Sequence, residues 1–168
     1  MGFKKTSDTI AVSFDLTELA PNTFIQEQVA LQLDVLNNEI AVVLAIDLDI
    51  TSPDAIAGVD TATDASLTTT SQLGLSSLAN SNCLAAGQKS IRAAGFVDGG
   101  VAFDRKADST YAGDVDYIGI IATNNFFVQV KGFQNLATKG VTGRVWLYRA
   151  RADASTYAAL VQSEVLSA

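Results

Sequence analysis

The strongest constraint on the fold is a long stretch in which apolar and polar residues alternate on both sides of an asparagine pair. Within Phe24–Leu36 the apolar residues Val29, Leu31, Leu33 and Val35 alternate with Gln28, Ala30, Gln32 and Asp34, and the same period continues from Ile40 to Thr51. This period of two puts alternate side chains on one face, as in a half-buried strand, whereas a helix would scatter them. Asn37-Asn38-Glu39 separates the two runs, and asparagine tolerates the positive φ of tight turns. The stretch predicts a hairpin with arms of roughly 12 residues, or ~40 Å each.

The second arm is asymmetric along its length. Its predicted core face consists of Ile40, Val42, Leu44, Ile46, Leu48 and Ile50. The opposite face begins apolar, at Ala41, Val43 and Ala45, and ends with two acidic residues, Asp47 and Asp49. We therefore expect the Ile40 end to be covered on both sides, and the Asp47/Asp49 end to face water or a cation.

Further strands are predicted by the same alternation. They are Ile10–Thr17, Ser66–Gln72, Val101–Lys106, the pair Tyr117–Thr123 and Phe126–Phe133 joined across Asn124-Asn125, and Gly140–Arg151. Ser52–Ala65 reads as a loop, and Leu73–Arg92 is compatible with either a short helix or irregular covering structure. Ser155–Leu166 carries apolar residues at helical spacing (Tyr157, Leu160, Val161 and Val165), which predicts a short amphipathic helix.

The order of these elements favours one fold class. There are about eight strands and no alternation of strands with helices, so we predict an all-β protein. The architecture expected is an antiparallel β-sandwich, specifically an eight-stranded jelly roll, with a short C-terminal helix. The predicted division is a flexible N-terminal arm (1–9), the sandwich domain (10–152) and a helical tail (153–168).

The composition argues against several classes of function. The chain has no histidine, and its single cysteine, Cys83, can form neither an internal disulfide nor a multi-thiolate site, so we expect no enzyme. The net charge is −7, and Lys4-Lys5 and Arg149 with Arg151 are the only close basic pairs, so strong nucleic-acid binding is not expected. The N-terminus lacks the apolar core of a signal peptide. The longest apolar run, Ile40–Ile46, is too short for membrane insertion.

Two segments resemble ligand sites. Five acidic residues crowd one region of the sequence: Asp47, Asp49, Asp54, Asp60 and Asp64. Oxygen-rich loops bind Ca²⁺, although this spacing fits no EF-hand. A solvated loop with turn-forming aspartates is the favoured interpretation, and Ca²⁺ at the Asp47/Asp49 end is the alternative; Asp114 and Asp116 have the same two interpretations. The glycine-rich 95–100 lacks the lysine of a phosphate loop and is interpreted as a turn.

The last strand offers a candidate subunit interface. If Val141, Val145 and Leu147 point into the core, Arg144, Trp146 and Tyr148 point outward together; the opposite orientation would put Trp146 in the core. Arginine, tryptophan and tyrosine dominate interface hot spots. Only 17% of residues are charged, below the ~25% usual for soluble domains, which is typical of a surface that another molecule partly covers.

The layout resembles single jelly-roll viral capsid (coat) proteins. The resemblance is one of overall architecture. It consists of a short polar N-terminal arm, the stretch FIQEQVALQLDVLNNEIAVVLAIDLDI, a Thr/Ser-rich excursion and a closing GVTGRVWLYRARAD strand. It implies a structural, self-assembling virion protein, made in the host cytoplasm, whose partners are copies of itself or other virion proteins and which performs no catalysis. The chain departs from many such proteins because it lacks a basic arm for the genome. The alternative is a β-sandwich binding module of the carbohydrate-binding or adhesin type, using Trp146, Tyr111 and Tyr117.

Overall fold

The computed structural model describes residues 3–107 and 116–167, and there it places ten strands and one α-helix. The strands are β1 (Phe3–Lys5), β2 (Ile10–Thr17), β3 (Ile25–Ala30), β4 (Glu39–Ile50), β5 (Thr61–Thr68), β6 (Cys83–Arg92), β7 (Val101–Ala107), β8 (Gly119–Ile121), β9 (Asn125–Phe133) and β10 (Gly140–Ala152). The helix α1 spans Ala154–Leu166.

The strand pairing is that of a jelly roll. When β1 and β7 are set aside, the eight remaining strands form nested antiparallel pairs: β2 with β10, β3 with β9, β4 with β8, and β5 with β6. The first of these eight strands thus pairs with the last, the second with the seventh, the third with the sixth and the fourth with the fifth. This nesting is that of a long antiparallel ribbon wound into a sandwich. The predicted all-β sandwich with a C-terminal helix is confirmed. β7 corresponds to the predicted strand Val101–Lys106, whereas β1 and β6 were not predicted as strands.

Two sheets result from this winding. The first sheet has the order β2–β10–β4–β8, with β1 beside the far end of β10, and the second has the order β3–β9–β5–β6–β7. The core lies between them, and Phe14 of the first sheet meets Phe126 of the second edge-to-face, with ring centroids 6.1 Å apart. A side chain at Gly143 would overlap the Phe14 ring and the Asp47 carbonyl, so glycine is required there.

Neither asparagine pair closes the predicted hairpin. Between β3 and β4 the chain leaves the second sheet and enters the first, because Gln32 adopts a positive φ of 55° that bends it out of the β3 ladder. Asn38, at φ 56°, then turns it into β4. The chain crosses in the opposite direction at Asn124, between β8 and β9. Both predicted hairpins are therefore wrong, and both asparagine pairs lie at corners between sheets.

The two corners hold each other in place. The backbone N–H of Leu31 donates to the Asn124 carbonyl at 3.0 Å, and the N–H of Leu33 donates to the Asn124 side-chain oxygen at 2.5 Å. Leu31 and Leu33 are buried in the core, so the predicted alternation identified the right residues although they lie outside a strand.

A β-bulge divides the faces of β4. Trp146 of β10 lies opposite Ala45 and Leu147 lies opposite Val43, so Leu44 is the extra residue. The face predicted as one core row therefore switches sides at Leu44. The core face is Ala41, Val43, Ile46, Leu48 and Ile50, and the outer face is Ile40, Val42, Ala45, Asp47 and Asp49. The predicted asymmetry is confirmed, because Ile40–Val43 are fully buried whereas Asp47 and Asp49 are exposed.

Two segments between β4 and β7 differ from the prediction. β5 covers 61–68, so the predicted loop ends earlier and the predicted strand at Ser66–Gln72 begins earlier. The ambiguous stretch ends in a strand, β6, rather than a helix. Its residues Ala85, Ala86 and Gly87 are too small to show an apolar alternation, although Ala85 is completely buried.

Side chains of the first strand and of the C-terminal helix pack together on the outer face of the first sheet. In the predicted arm, β1 pairs with the end of β10, and the Phe3 ring meets Tyr117 edge-to-face at 6.0 Å. The predicted helix is confirmed as α1, which begins after the Asp153 N-cap. Its residues Tyr157, Leu160 and Val161 pack over Ile40 and Val42. The predicted Val165 is instead 57% exposed, and Glu164 is the buried residue of that turn.

The strand registers define two ends of the sandwich. At the four-loop end lie the connections 18–24, 51–60, 93–100 and 134–139. At the opposite end, the helix end, lie α1, β1 and the two asparagine corners.

Candidate assembly surfaces

The three residues predicted as an interface share the outer face of β10 but differ in their surroundings. Val145 and Leu147, between them, are buried in the core, which places Trp146 outward. Arg144 is exposed, and its guanidinium carbon lies 5.9 Å from the centroid of the partly buried Trp146 ring, a cation–π distance. Tyr148 instead packs in the cluster beneath α1, with the Lys5 ammonium 4.8 Å above its ring. The predicted row therefore divides: Arg144 and Trp146 lie on open sheet, whereas Tyr148 is half covered by its own chain.

Arg144 and Trp146 belong to a grid of outward side chains across β2, β10 and β4. The register sets Thr142 opposite both Asp15 and Asp49, and Arg144 opposite both Ser13 and Asp47. Asp15, Asp47 and Asp49 are exposed. This surface, the acidic face, presents three carboxylates around one guanidinium.

The five acidic residues considered for Ca²⁺ do not converge. Asp47 and Asp49 lie on the acidic face, whereas Asp64 lies on the outer face of the second sheet, where burial raises its pKa. The Asp60 carboxylate accepts hydrogen bonds from the N–H groups of Ala93 and Ala94 at 2.8 and 2.9 Å, and these bonds lower its pKa. Within residues 3–107 and 116–167 no three potential metal ligands of the His, Cys, Asp or Glu type lie together. Asp114 lies outside the described residues.

Buried and partly buried hydrogen bonds join three of the loops at the four-loop end. Asn22 and Asn135 exchange two hydrogen bonds, and the side-chain oxygen of Asn135 accepts from the N–H of Asp54 at 2.9 Å. The Lys139 ammonium donates to the Asp54 carboxylate at 2.7 Å, and the backbone N–H of Lys139 donates to the buried Glu18 carboxylate at 2.8 Å. The hydrogen bond from Lys139, together with two backbone N–H groups, lowers the pKa of Asp54. This polar network spans the connections 18–24, 51–60 and 134–139, so their shape is fixed by the fold.

Large apolar side chains extend into solvent from two of these connections, 18–24 and 134–139, and from the neighbouring connection 93–100. Leu19 and Val97 are each 89% exposed, Leu136 is 78% exposed and Phe96 is 50% exposed. They come from three different connections at one end of the molecule. Single exposed apolar residues are ordinary, but a group at one end is typical of a contact site. We call these four residues the apolar tips.

The aromatic residues considered for sugar binding do not form one platform. Trp146 lies beneath Arg144 on the acidic face, and Tyr117 is half-buried against Phe3 under α1. Tyr111 lies outside the described residues. The glycine-rich 95–100 is a turn, with positive φ at Gly95 and Gly99, as predicted. Cys83 is buried, and its burial raises the pKa of the thiol.

The polar network and the apolar tips were not found in the sequence. The network joins residues more than 80 positions apart, and Leu19, Val97 and Leu136 are isolated apolar residues without periodicity. The available signal was weak: each lies within a few residues of a turn-forming residue, as Leu19 does before Pro21-Asn22.

Comparisons with known proteins do not identify a family for this chain. No protein-family model matches it, and none of the curated proteins matches it. Among solved structures, a chain titled Desmodium yellow mottle tymovirus aligns over 88% of this chain and 91% of its own length, at 15% identity and a TM-score of 0.32. A TM-score this low supports no argument, so a functional inference must come from the geometry of the chain itself. Within the described ranges no helix is long and apolar enough to cross a bilayer.

Proposed function

We propose that this chain is a non-enzymatic structural subunit that assembles with copies of itself, as a coat protein of the single jelly-roll kind located in a virion. The observation that carries the proposal is the set of apolar tips on hydrogen-bonded loops. Burying one such side chain contributes about 1.5–3 kcal/mol, so a few tips meeting in a contact would favour association substantially. The loops that carry Leu19 and Leu136 are held by internal hydrogen bonds, so their association loses little conformational entropy.

Two further features support the proposal. The nested strand pairs give a sandwich in which four connections lie at one end. The net charge of −7 fits contacts between protein subunits better than contacts with nucleic acid.

The first test replaces two apolar tips by lysine. We expect the purified wild-type protein to form large particles, visible by electron microscopy and by size-exclusion chromatography with light scattering. In Val97→Lys/Leu136→Lys a charge at each tip must be desolvated on contact, so assembly should require at least tenfold higher concentration, about 1.4 kcal/mol. Both residues are exposed, so circular dichroism should show an unchanged fold.

The matched control is Leu73→Lys. Leu73 is fully exposed, at 103%, but lies in the excursion between β5 and β6 rather than at the four-loop end. This variant should assemble like the wild type. A wild-type protein that remains monomeric at millimolar concentration would refute the proposed function, and equal assembly by both variants would place the contact elsewhere.

A further inference from the structure

We propose that copies of the chain also contact each other head to tail, with a basic edge at the helix end of one first sheet against the acidic face of the next. This inference deepens the proposed function and rests on it. It names the second copy as the occupant of the acidic face and charge complementarity as the reason.

The acidic face is the outer surface of β2, β10 and β4 toward the four-loop end. The row Asp15–Thr142–Asp49 lies beside the row Ser13–Arg144–Asp47, and all six residues are exposed. Residues of both rows line a shallow groove, and Lys106 of β7, two residues from Asp104, also lines it. The carboxylates outnumber the cations, so this surface would repel an identical copy of itself and favours a basic partner.

The basic edge lies at the other end of the same sheet. Lys4 of β1 is in register with Arg151 of β10, and Lys5 is in register with Ala150. Lys4, Lys5 and Arg151 are exposed, and the described residues give no ion pair to any of them. The half-buried Arg149 lies 3.8 Å from Glu39, so its charge is partly balanced. Within the described structure, Lys4 and Arg151 share one face of this strand edge without an ion pair, whereas Lys5 points to the opposite face, over the Tyr148 ring.

The positions of the two surfaces determine the kind of contact. Arg144 and Arg151 are seven residues apart on β10, which corresponds to roughly 23 Å at 3.3 Å per residue. Two patches of opposite sign that far apart on one sheet cannot satisfy each other within a chain. Between chains they meet head to tail, and such heterologous contacts close into rings or continue into larger assemblies.

The charge pattern favours a second copy over nucleic acid as the partner of the basic edge. A polyphosphate partner requires many cations, and this edge has only Lys4, Lys5 and Arg151 in a chain of net charge −7. The acidic face supplies carboxylates in a planar array that a strand edge can reach.

A charge swap tests this contact. Asp47→Lys/Asp49→Lys makes both surfaces basic, and Lys4→Glu/Arg151→Glu makes both acidic. Like charges in contact should raise the concentration needed for assembly at least tenfold in each double variant. The chain with all four substitutions restores opposite charges and should assemble within a few-fold of the wild type. Glu27→Lys, on the exposed part of β3 in the second sheet, is the control for charge reversal and should behave like the wild type.

The outcomes separate this inference from the proposed function. If the wild type assembles and both double variants assemble equally well, the head-to-tail contact is refuted while the proposed function stands. The head-to-tail contact is also refuted if the double variants fold normally by circular dichroism but do not assemble, and the chain with all four substitutions does not assemble either. A wild type that never assembles refutes the proposed function, and this contact with it.

Discussion

At the scale of single residues, the four-loop end depends on a nearly buried ammonium group. The Lys139 side chain is 7% exposed, and its Nζ lies 2.7 Å from a carboxylate oxygen of Asp54. The other oxygen of Asp54 accepts from the N–H groups of Leu136 and Ala137. One carboxylate thus balances a buried charge and shapes the loop that carries an apolar tip.

Asp54→Asn should therefore destabilise the fold. Asparagine keeps an acceptor for the backbone N–H groups but leaves the Lys139 ammonium buried without its counter-charge. We expect a loss of about 1–3 kcal/mol in the free energy of unfolding at pH 7, measured with urea. Asp8→Asn is the control, because Asp8 is exposed and its carboxylate makes no hydrogen bond in the described structure.

The stability lost in Asp54→Asn should depend on pH. The Lys139 hydrogen bond holds the pKa of Asp54 below its ordinary value. A group whose folded pKa is lowered contributes stability above its unfolded pKa, about 3.9, and loses it as the pH falls through the folded pKa. The difference between the wild type and Asp54→Asn should therefore shrink in acid. A difference that stays constant from about pH 7 to about pH 2 would contradict this origin.

At the scale of elements, alternation identified most strands but not the sheet that each one joins. The four strands from β2 to β5 lie alternately in the first and the second sheet. The sheet that a strand joins depends on partners that can be distant in sequence, as β9 is for β3. An Asn-Asn pair between two alternating runs is the ordinary mark of a hairpin, and nothing local separates it from a corner. The corner arises from Gln32 at positive φ and from Asn124, which is distant in sequence. The bulge at Leu44 is hidden for the same reason, since only the register with β10 shows it.

The candidate interface was predictable to the same extent. The sequence placed Arg144 and Trp146 on one face of the last strand, because alternation is local. It could not show that α1 would half cover Tyr148, since that contact joins the outer face of the sheet to a helix with a weak apolar stripe. It also missed that Asp15 of β2 and the Asp47/Asp49 pair of β4 flank Arg144, because these contacts join different strands.

Helix α1 depends on a buried carboxylate. Glu164 is 6% exposed, and its side chain accepts from the N–H of Ala122 at 2.9 Å and from the Thr123 hydroxyl. Glu164→Ala should cost about 1–3 kcal/mol, because it leaves both donors without a partner. Glu164→Gln, the matched control, keeps an acceptor and removes the charge. Urea unfolding should order the variants with Glu164→Ala least stable.

The pH dependence of this contact is set by the sign of the pKa shift. Burial raises the pKa of Glu164 above its ordinary value. Its contribution is therefore fully present below the unfolded pKa, about 4.3, and is lost as the pH rises through the folded pKa. Relative to Glu164→Gln, the wild type should lose stability as the pH rises above about 4. The opposite trend would mean that the hydrogen bonds to the carboxylate outweigh its burial.

At the scale of the whole molecule, the two proposed contacts differ in physical origin and in location. The apolar tips lie at the four-loop end and would be held by the burial of apolar surface. The basic edge and the acidic face lie along the first sheet and would be held by charge. One subunit thus carries one contact that salt leaves intact and another that salt weakens, and an assembly built from both should come apart in two stages.

Salt should therefore separate the two contacts in the wild-type protein. The screening length falls from about 10 Å at 0.1 M salt to about 3 Å at 1 M, which weakens attraction between exposed charges, whereas apolar contacts persist. We expect light scattering to show large particles at about 0.1 M sodium chloride and small oligomers at about 1 M. Val97→Lys/Leu136→Lys should yield no such oligomers at about 1 M sodium chloride, because this variant lacks the apolar contact that persists at high salt. Particles that keep their size across this range would leave the head-to-tail contact without a role in holding them together.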